Sequence, residues 1–238
     1  MEAFGYTWTS SMEGGRTVAT ERPWMRFSEE AAWKQNLDDD NSIVLSVVTS
    51  PKDVRHWDGK TYKTKYAVGL IRSVDTFGYG TYSAKIKLPH GNFLWPSFWL
   101  VGDGRWPDNG EIDIMEAWSD KRGSYFKALL PKWNTTNNVH YLKNGEHNQI
   151  KPCCVPWIIQ TSNPADKFVE YRVEYKPDSI VFKANNTVVR RISGNVMRCL
   201  PKEPEMHVIF NLWTDNEDFS LDSPMIVKDF KYNKKATI

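Results

Sequence analysis

The sequence lacks the long apolar segments that membrane-spanning helices require. No stretch approaches the roughly 18 consecutive apolar residues that cross a bilayer, and the N-terminus has no basic region followed by an apolar core. An excess of one charge is also missing, since 31 Lys and Arg face 29 Asp and Glu, for a formal net charge of +2. Nucleic-acid-binding surfaces need a strong basic excess. We therefore expect neither a membrane nor a nucleic acid as a partner.

Cysteine is scarce as well. The chain has three cysteines, the adjacent Cys153 and Cys154 and the distant Cys199. An odd number argues against a disulfide framework and for at least one free thiol, although a bridge from Cys199 to one of the pair stays open. No Cys/His spacing resembles a zinc site. We expect no metal and no cofactor.

What the chain does contain is a series of short strand signals. Its 238 residues, 40% hydrophobic and 25% charged, suffice for a sizeable core and for a single domain over 1–238. Long helical periodicity is absent, and Asn185 and Asn186 suit a tight hairpin turn. Alternating or apolar segments between Gly and Pro predict strands at 42–48, 66–72, 80–87, 93–101, 168–175, 179–184, 188–192, 206–212 and 225–232. So many strands predict an all-β sandwich or barrel.

The segment GEIDIME, residues 110–116, alternates carboxylates with apolar residues until the alternation slips by one place. In a strand, Glu111 and Asp113 share one face and the two isoleucines share the other. Strict alternation would send Glu116 to the apolar face. A β-bulge adds one residue and resets the alternation, so we predict a bulge near 114–115 that returns Glu116 to the acidic face.

The spacing of the carboxylates on this face indicates a chemical role. Across a bulge, Glu111 and Glu116 are effectively about four residues apart, which places their Cβ atoms roughly 13 Å apart. Two glutamate side chains that lean inward can close most of that gap. Carboxyl groups roughly 5 to 5.5 Å apart hydrolyse glycosides with retention, one as nucleophile and one as proton donor. Asp113, between them, would hold one carboxyl ionised and one protonated near neutral pH.

Two simpler interpretations compete with this hypothesis. Acidic residues that alternate along a strand usually mark a solvated face, but Trp95, Trp99, Trp106 and Trp118 crowd both sides of the segment. On a helix, positions five apart point about 140° away from each other, so the two glutamates would not converge. The context therefore favours an acidic strand with a chemical role.

Several motifs accompany the acidic segment. WPSFWL at 95–100 and WPDN at 106–109 precede it, GLIRS, FGYGTY and KLPHG lie upstream between 69 and 91, and weaker matches follow at 171–180 and 210–213. Together they resemble glycoside hydrolase family 16, and within it the laminarinase and 1,3(4)-β-glucanase branch, whose bulged strand reads E-x-D-x-x-E. The resemblance implies a β-jelly-roll sandwich of two curved, mainly antiparallel sheets with a substrate cleft on the concave face.

The resemblance also implies roles for individual residues. It makes Glu111 the nucleophile, Asp113 the assisting acid and Glu116 the general acid/base. It places Trp95 and Trp99 as sugar-stacking platforms, because an indole offers a flat apolar partner to the C–H face of a pyranose. The further residues that it places at the substrate are Arg72, Trp118, His140, Asn211 and Trp213.

One position departs from the family pattern. Many relatives bind a structural calcium through an aspartate in a late strand, and Lys228 stands at the matching position. An ammonium disfavours a cation held by oxygen ligands, so we expect no calcium there unless Asp229 substitutes. The irregular segment 123–166, with Trp133, resembles the long loops that carry recognition on rigid scaffolds, and we expect substrate choice to depend on it.

These observations predict an endo-acting, retaining hydrolase of a β-linked polysaccharide, β-1,3-glucan or mixed-linkage β-1,3-1,4-glucan, as its substrate partner. A red-algal galactan hydrolase of the agarase or carrageenase kind, a transglycosylase and a lectin-like carbohydrate-binding module are the alternatives. Because polysaccharides lie outside cells, we expect a secreted, periplasmic or cell-surface protein whose leader is absent from this chain. We expect a monomer.

Overall fold

The structure is a computed structural model that describes residues 1–35, 42–119, 135–150, 153–154 and 163–234. Trp133 and much of the irregular segment predicted to carry recognition lie outside the described residues. Of Cys153 and Cys154, the backbone alone is described.

Strands dominate the described residues, and the helices are three short 3₁₀ turns at Glu13–Gly15, Glu29–Ala31 and Gly194–Cys199. The strands are β1 (Glu2–Ala3), β2 (Tyr6–Thr9), β3 (Met25–Phe27), β4 (Ala32–Lys34), β5 (Ser42–Leu45), β6 (Val47–Arg55), β7 (Thr61–Val68), β8 (Leu70–Ser73), β9 (Gly80–Lys87), β10 (Leu94–Gly102), β11 (Glu111–Ala117), β12 (Thr135–Lys143), β13 (Glu146–Gln149), β14 (Cys153–Cys154), β15 (Val169–Tyr175), β16 (Ser179–Ala184), β17 (Thr187–Ser193), β18 (Met206–Thr214) and β19 (Met225–Lys234). In the part of the chain that the structure describes, no helix has the length and apolar character to span a membrane.

The strands form two large sheets and a small one. The first large sheet has the order β1-β2-β8-β18-β10-β11-β12-β13, with β14 also paired to β12, and the second has the order β17-β16-β15-β9-β19-β5-β4. Neighbours in both are antiparallel, whereas the small sheet β3-β7-β6 contains a parallel pair, β3 with β7. The predicted all-β sandwich of mainly antiparallel sheets is confirmed.

The main core lies between the two large sheets. Phe98 and Phe210 from the first sheet stack with ring centroids 4.4 Å apart, and Phe230 from the second sheet meets Phe210 edge-on at 5.8 Å. Side chains from alternate positions of both sheets are fully enclosed, because successive residues of a strand face opposite sides. The outward residues of the first sheet are therefore free to build a site.

The small third sheet was not predicted, and it corrects two predicted strands. The segments 42–48 and 66–72 are each divided, the first at Ser46 and the second at Gly69, where the chain passes from one sheet to another. The Gly69 N–H donates to the Ser46 carbonyl at 2.8 Å, which joins the two crossing points. A Cβ at Gly69 would lie 2.5 Å from the Ala31 carbonyl oxygen, so this close approach requires glycine.

Other local predictions are confirmed. Strands β9 and β16 have the predicted bounds, and Asn185 and Asn186 join β16 to β17 with φ of +46° and +65°, as a two-residue hairpin turn requires. Cys199 is a free, partly buried thiol, in agreement with the prediction of at least one free cysteine.

Candidate active site

The predicted bulge is present in β11. On one side Asp113 pairs with Trp99 and Met115 with Phe98, so that Ile114 has no opposite residue on β10. On the other side the register to β12 shifts between Asp113 and Glu116. The inserted residue resets the alternation, which keeps the apolar residues of β11 in the core and returns Glu116 to the face of Glu111 and Asp113.

A cavity of about 300 Å³ lies on this outer face. Strand β10 contributes alternate residues to it, Trp95, Ser97, Trp99 and Val101, while the residues between them face the core. The remaining lining residues are Met12, Glu13, Arg16, Glu21, Arg72, Gly102, Asp103, Trp106, Asn109, Glu111, Asp113, Glu116, His207, Asn211 and Trp213. The site is thus open to a ligand on a surface that combines carboxylates with indoles.

Two indole N–H groups fix the outer carboxylates. Trp106 Nε1 donates to Glu111 Oε2 at 2.9 Å, and Trp95 Nε1 donates to Glu116 Oε1 at 3.2 Å. An N–H that donates to a carboxylate stabilises the charged form and restricts rotation of the side chain. Each glutamate is therefore oriented by its own tryptophan.

The central carboxylate faces a histidine. Asp113 is 3% exposed, and its Oδ2 lies 3.2 Å from His140 Nε2, which is also 3.8 Å from Glu111 Oε1. His140 Nδ1 lies 2.9 Å from His147 Nε2, and the two imidazole rings stack. The histidine pair links the buried carboxylates to the exposed hairpin β12–β13. His140 is one of the predicted site residues, and it contacts the carboxylates directly.

Burial shifts the titration of all three acids in the same direction. Desolvation, with the neighbouring charge of Asp113, holds the pKa of Glu111 well above its ordinary value. Burial raises the pKa of Asp113 to about 7, although a hydrogen bond with Glu111 opposes the rise. Burial and the charge of Asp113 raise the pKa of Glu116 to about 8, against the hydrogen bond from Trp95. Carboxyls this close cannot all ionise near neutral pH, so the group retains protons there.

An aromatic wall stands beside Glu116. The Trp95 ring stacks on Trp118 at 5.6 Å and meets Trp213 edge-on at 5.3 Å, and the guanidinium of Arg22 lies 4.5 Å above it. Trp213 in turn stacks on Phe27. Trp118 therefore packs on Trp95 but is not among the residues that line the cavity.

The other predicted contacts also gather here. Trp99 Nε1 donates to Asn211 Oδ1 at 2.7 Å, which joins two predicted residues from β10 and β18. Arg72 lines the cavity, and burial lowers its pKa while the charges of Asp103 and Glu13 oppose that shift. The structure thus brings all ten predicted site residues to one region, nine at the cavity or its carboxylates and Trp118 against the ring of Trp95.

Sequence reasoning missed several residues of the site. Arg22 and the lining residues Met12, Glu13, Arg16 and Glu21 come from the N-terminal segment, which carries no motif. Trp106 was noted as a neighbour of the carboxylates, and the proximity of WPDN to GEIDIME was the signal that could have assigned it to Glu111. His147 had no such signal, because its partner His140 becomes adjacent through the β12–β13 hairpin.

Two groups of residues bear on metal binding. Glu111, Asp113 and His140 each offer a ligand atom within 4.8 Å of the others, while Trp106 donates to Glu111 and His147 lies against the other ring nitrogen of His140. At the calcium position of the family, Asp229 forms an ion pair with Lys85 at 2.8 Å, and the Lys228 ammonium lies over Phe168. The ion pair between Lys85 and Asp229 supports the prediction of no calcium there, which stays a prediction.

Relatives with known names match parts of the chain. A β-1,3-glucan-binding protein of Penaeus monodon is 27% identical over 116 residues, covering 47% of this chain and 31% of the relative. A β-glucanase of Rhodothermus marinus is 36% identical over 72 residues, covering 27% of this chain and 24% of the relative. The matched segments thus span about a third or less of these relatives' own lengths.

Solved structures match almost the whole chain. The LamAcat structure from Zobellia galactanivorans superimposes with a TM-score of 0.70 at 16% identity, covering 95% of this chain and 90% of that one. A Bacteroides ovatus family 16 protein in complex with a mixed-linkage glucan product superimposes with a TM-score of 0.68 at 20% identity and covers 98% of both chains. These likenesses establish a shared fold. The model of "Glycosyl hydrolases family 16" matches residues 30–226, and the chain therefore belongs to that family.

Proposed function

We propose that the protein is a retaining, endo-acting glycoside hydrolase that cleaves a β-linked glucan, β-1,3- or mixed-linkage β-1,3-1,4-glucan. The observation that carries the proposal is the bulged strand β11, which presents Glu111, Asp113 and Glu116 on one face of a cavity walled by tryptophans. Membership of family 16 and the names of the matched β-glucanases support the same chemistry.

The mechanism is a double displacement. The Glu111 carboxylate attacks the anomeric carbon while Glu116 donates its proton to the leaving glycosidic oxygen, which breaks the C–O bond and leaves a glycosyl-enzyme ester. A water molecule then attacks the same carbon, Glu116 takes its proton, and Glu111 departs as a carboxylate. Two inversions retain the configuration, and each residue returns to its starting charge.

The electrostatics of the site suit these roles. The raised pKa of Glu116 keeps its carboxyl protonated at neutral pH, as a general acid requires. Glu111 must ionise before it attacks, and Trp106 and His140 are the groups beside it that favour the charged form. Asp113 shares a hydrogen bond with Glu111 and can take up a proton when Glu111 gives one up, so that it assists both neighbours.

Two other functions have specific support. The matched β-1,3-glucan-binding protein favours a module that binds glucan without cleaving it. The matched keratan-sulfate endo-1,4-β-galactosidase of Sphingobacterium multivorum and a porphyranase structure of the same fold favour a galactan substrate. The three enclosed carboxyls argue against a pure binder, because burial of ionisable groups costs folding free energy that binding alone does not require. Because polysaccharides lie outside cells, we further propose that the protein works outside the cell or at its surface. We also propose that it is a monomer.

One experiment tests the proposal against these alternatives. The protein is incubated with laminarin, mixed-linkage β-glucan, agarose and carrageenan, the products are sized, and proton NMR follows the anomeric configuration of the first product. We expect a ladder of oligosaccharides from one of the two glucans, with the β-anomer formed first. An α-anomer would contradict retention, and cleavage of agarose or carrageenan alone would contradict the glucan. Glucan binding without any product would establish the binding module.

A further inference from the structure

The ring of Trp95 is already occupied by protein groups. Two flat groups lie over it, the indole of Trp118 at 5.6 Å with planes 29° apart and the guanidinium of Arg22 at 4.5 Å. The edge contact with Trp213 closes a further side. A sugar stacks on an indole through a part of the ring face that the protein leaves free. Trp118, Arg22 and Trp213 therefore compete with a pyranose for the Trp95 ring.

Arg22 is held firmly over this ring. Its Nη2 donates to Asp215 Oδ1 at 3.1 Å, and its side chain is 17% exposed. The guanidinium also lies 5.9 Å from the Trp213 ring, so that it sits between two indoles. A planar guanidinium that stacks on an aromatic ring and pairs with a carboxylate is well ordered. Arg22 therefore packs on the Trp95 ring, and Asp215, which is far from Arg22 in the chain, binds its guanidinium.

Trp99 shows the opposite arrangement. Its ring lines the same cavity, and among the described residues no aromatic ring or guanidinium stacks on it. Its N–H is engaged by Asn211 on the neighbouring strand, which fixes the ring from its edge and leaves the face available. The two tryptophans of the WPSFW motif thus differ in what they can offer to a sugar.

We propose that Trp95 is a positioning residue for the Glu116 carboxyl, held in place by Arg22 and Trp118, and that Trp99 is the sugar-stacking platform. The inference rests on the proposed function, since it takes Glu116 as the general acid/base. The Trp95 N–H donates to Glu116 Oε1 at 3.2 Å. The packing of Trp118 and Arg22 on the ring restricts its rotation and so keeps this N–H directed at the carboxyl. The hydrogen bond lowers the pKa of Glu116 against the effect of burial, which is consistent with this role.

Other charges also act on Glu116 and must stay constant in a test. Asp113 lies on the same strand, His140 on β12 contributes a favourable charge, and the Arg22–Asp215 pair stands behind Trp95. Trp95→Phe leaves all of these in place. It keeps an aromatic ring in the stack and removes the N–H that reaches Glu116. Trp57→Phe, at an exposed position of the β6–β7 hairpin, is the matched control.

The test compares kcat, KM and their pH dependence on the cleaved glucan. For Trp95→Phe we expect kcat to fall about 10-fold, the effect of one lost hydrogen bond to a charged group, with KM within about twofold. Because the Glu116 pKa rises without the donor, the basic limb of the pH profile should move to higher pH. Arg22→Met should act in the same direction more weakly, and Arg22→Lys should restore part of the rate. Arg172→Met, an Arg paired with Glu170 on the other sheet, should change nothing.

A rise of about 10-fold or more in KM for Trp95→Phe or Arg22→Met, with the pH limb unmoved, would overturn the inference, because that pattern is the loss of a sugar platform. Carbon-13 NMR titration of the glutamate carboxyls, with Glu116→Gln for assignment, gives a second measurement without substrate. We expect the Glu116 pKa to rise in Trp95→Phe, and an unchanged pKa would refute positioning. If the wild type cleaves no polysaccharide, the proposed function alone fails, and the titration still decides the role of Trp95.

Discussion

Arg26 on the small sheet and Asp113 on β11 are both almost fully enclosed, at 4% and 3% exposure, but their surroundings differ. Arg26 donates to both oxygens of Glu30, to Ser50 and to Thr64, and Ser50 in turn donates to Glu30. Every charge in this group has a partner of opposite sign or a hydrogen bond. The hydrogen bond from Ser50, against a smaller effect of desolvation, lowers the pKa of Glu30, so the network favours its ionised form.

The carboxylates of β11 have fewer partners than the charges of the Arg26 network. Three acids share one histidine, and Asp113 Oδ2 is buried without a hydrogen bond of good geometry. The pKa of each acid is raised, so this group opposes ionisation where the Arg26 network favours it. Burial of a charge with partners is compatible with a stable fold, whereas burial without partners costs free energy and is tolerated where proton transfer requires it. The contrast predicts opposite outcomes for mutations in the two groups.

The largest change in activity is expected for Glu111→Gln. Removal of the nucleophile should lower kcat by more than about 10⁴-fold, since such losses are typical of covalent catalysts. The amide removes a group that resists ionisation, so the free energy of unfolding should stay equal or rise. Turnover on the cleaved glucan and denaturant unfolding measure the two effects. Glu174→Gln, a carboxylate paired with Lys183 on the other sheet, serves as control and should keep its activity. Near-normal turnover in Glu111→Gln would remove this residue from the mechanism.

Asp113→Asn should have the next largest effect. We expect kcat/KM to fall about 10²-fold, the lower range for loss of a group that assists proton transfer. The negative charge of Asp113 helps raise the pKa of Glu116, so its loss should lower that pKa and move the basic limb of the pH profile to lower pH. The pH dependence of kcat/KM measures this shift. Asp229→Asn, on the second large sheet, should leave the profile in place. A basic limb that moves upward would contradict the proposed coupling.

The features of the site that were predictable from the sequence are local ones. The bulge followed from alternation within seven residues, and the turn at Asn185 and Asn186 followed from their tolerance of positive φ. Side-chain alternation has a period of two, so a single slip in GEIDIME was enough to place Glu116 beside Glu111. The strand bounds of β9 and β16 were predicted for the same reason.

What the sequence did not indicate depends on distant contacts. The division of 66–72 at Gly69 follows from the nearness of Ala31, which no pattern around Gly69 encodes. Arg22 pairs with a residue 193 positions away, and its place over Trp95 exists only after the N-terminal segment docks on the first sheet. The sequence therefore predicted which tryptophans reach the cavity, but it could not indicate that Arg22 packs on the Trp95 ring.

Arg26→Met tests the network that Arg26 forms on the small sheet. The change keeps much of the side-chain volume and leaves the Ser50 and Thr64 oxygens without their buried donor. We expect the free energy of unfolding to fall by about 1 to 3 kcal/mol, as for buried acceptors that lose their donor. The cavity does not include Arg26, so kcat and KM should stay unchanged. Denaturant unfolding and steady-state kinetics measure the two quantities. Lost activity with unchanged stability would show that the two groups are not distinct in function.

The smallest effect, and the most direct comparison of the two kinds of carboxylate, is the pH dependence of stability. The pKa of Glu116 is raised from an ordinary 4.5 to about 8, so the folded state retains a proton that the unfolded state releases between these values. The wild type should therefore lose stability as pH rises from about 5 to 8, and Glu116→Gln should lose less, by roughly 1 to 3 kcal/mol. Glu174, whose pKa Lys183 lowers, should show the reverse sign, with its contribution lost as pH falls towards 4. Denaturant unfolding of the wild type and both variants at pH 4, 5 and 8 gives the two differences, which cancel the titration of groups common to all three proteins. Equal pH dependence in Glu116→Gln and the wild type would mean that Glu116 ionises normally, and the acid required by the double displacement would then have to be another residue.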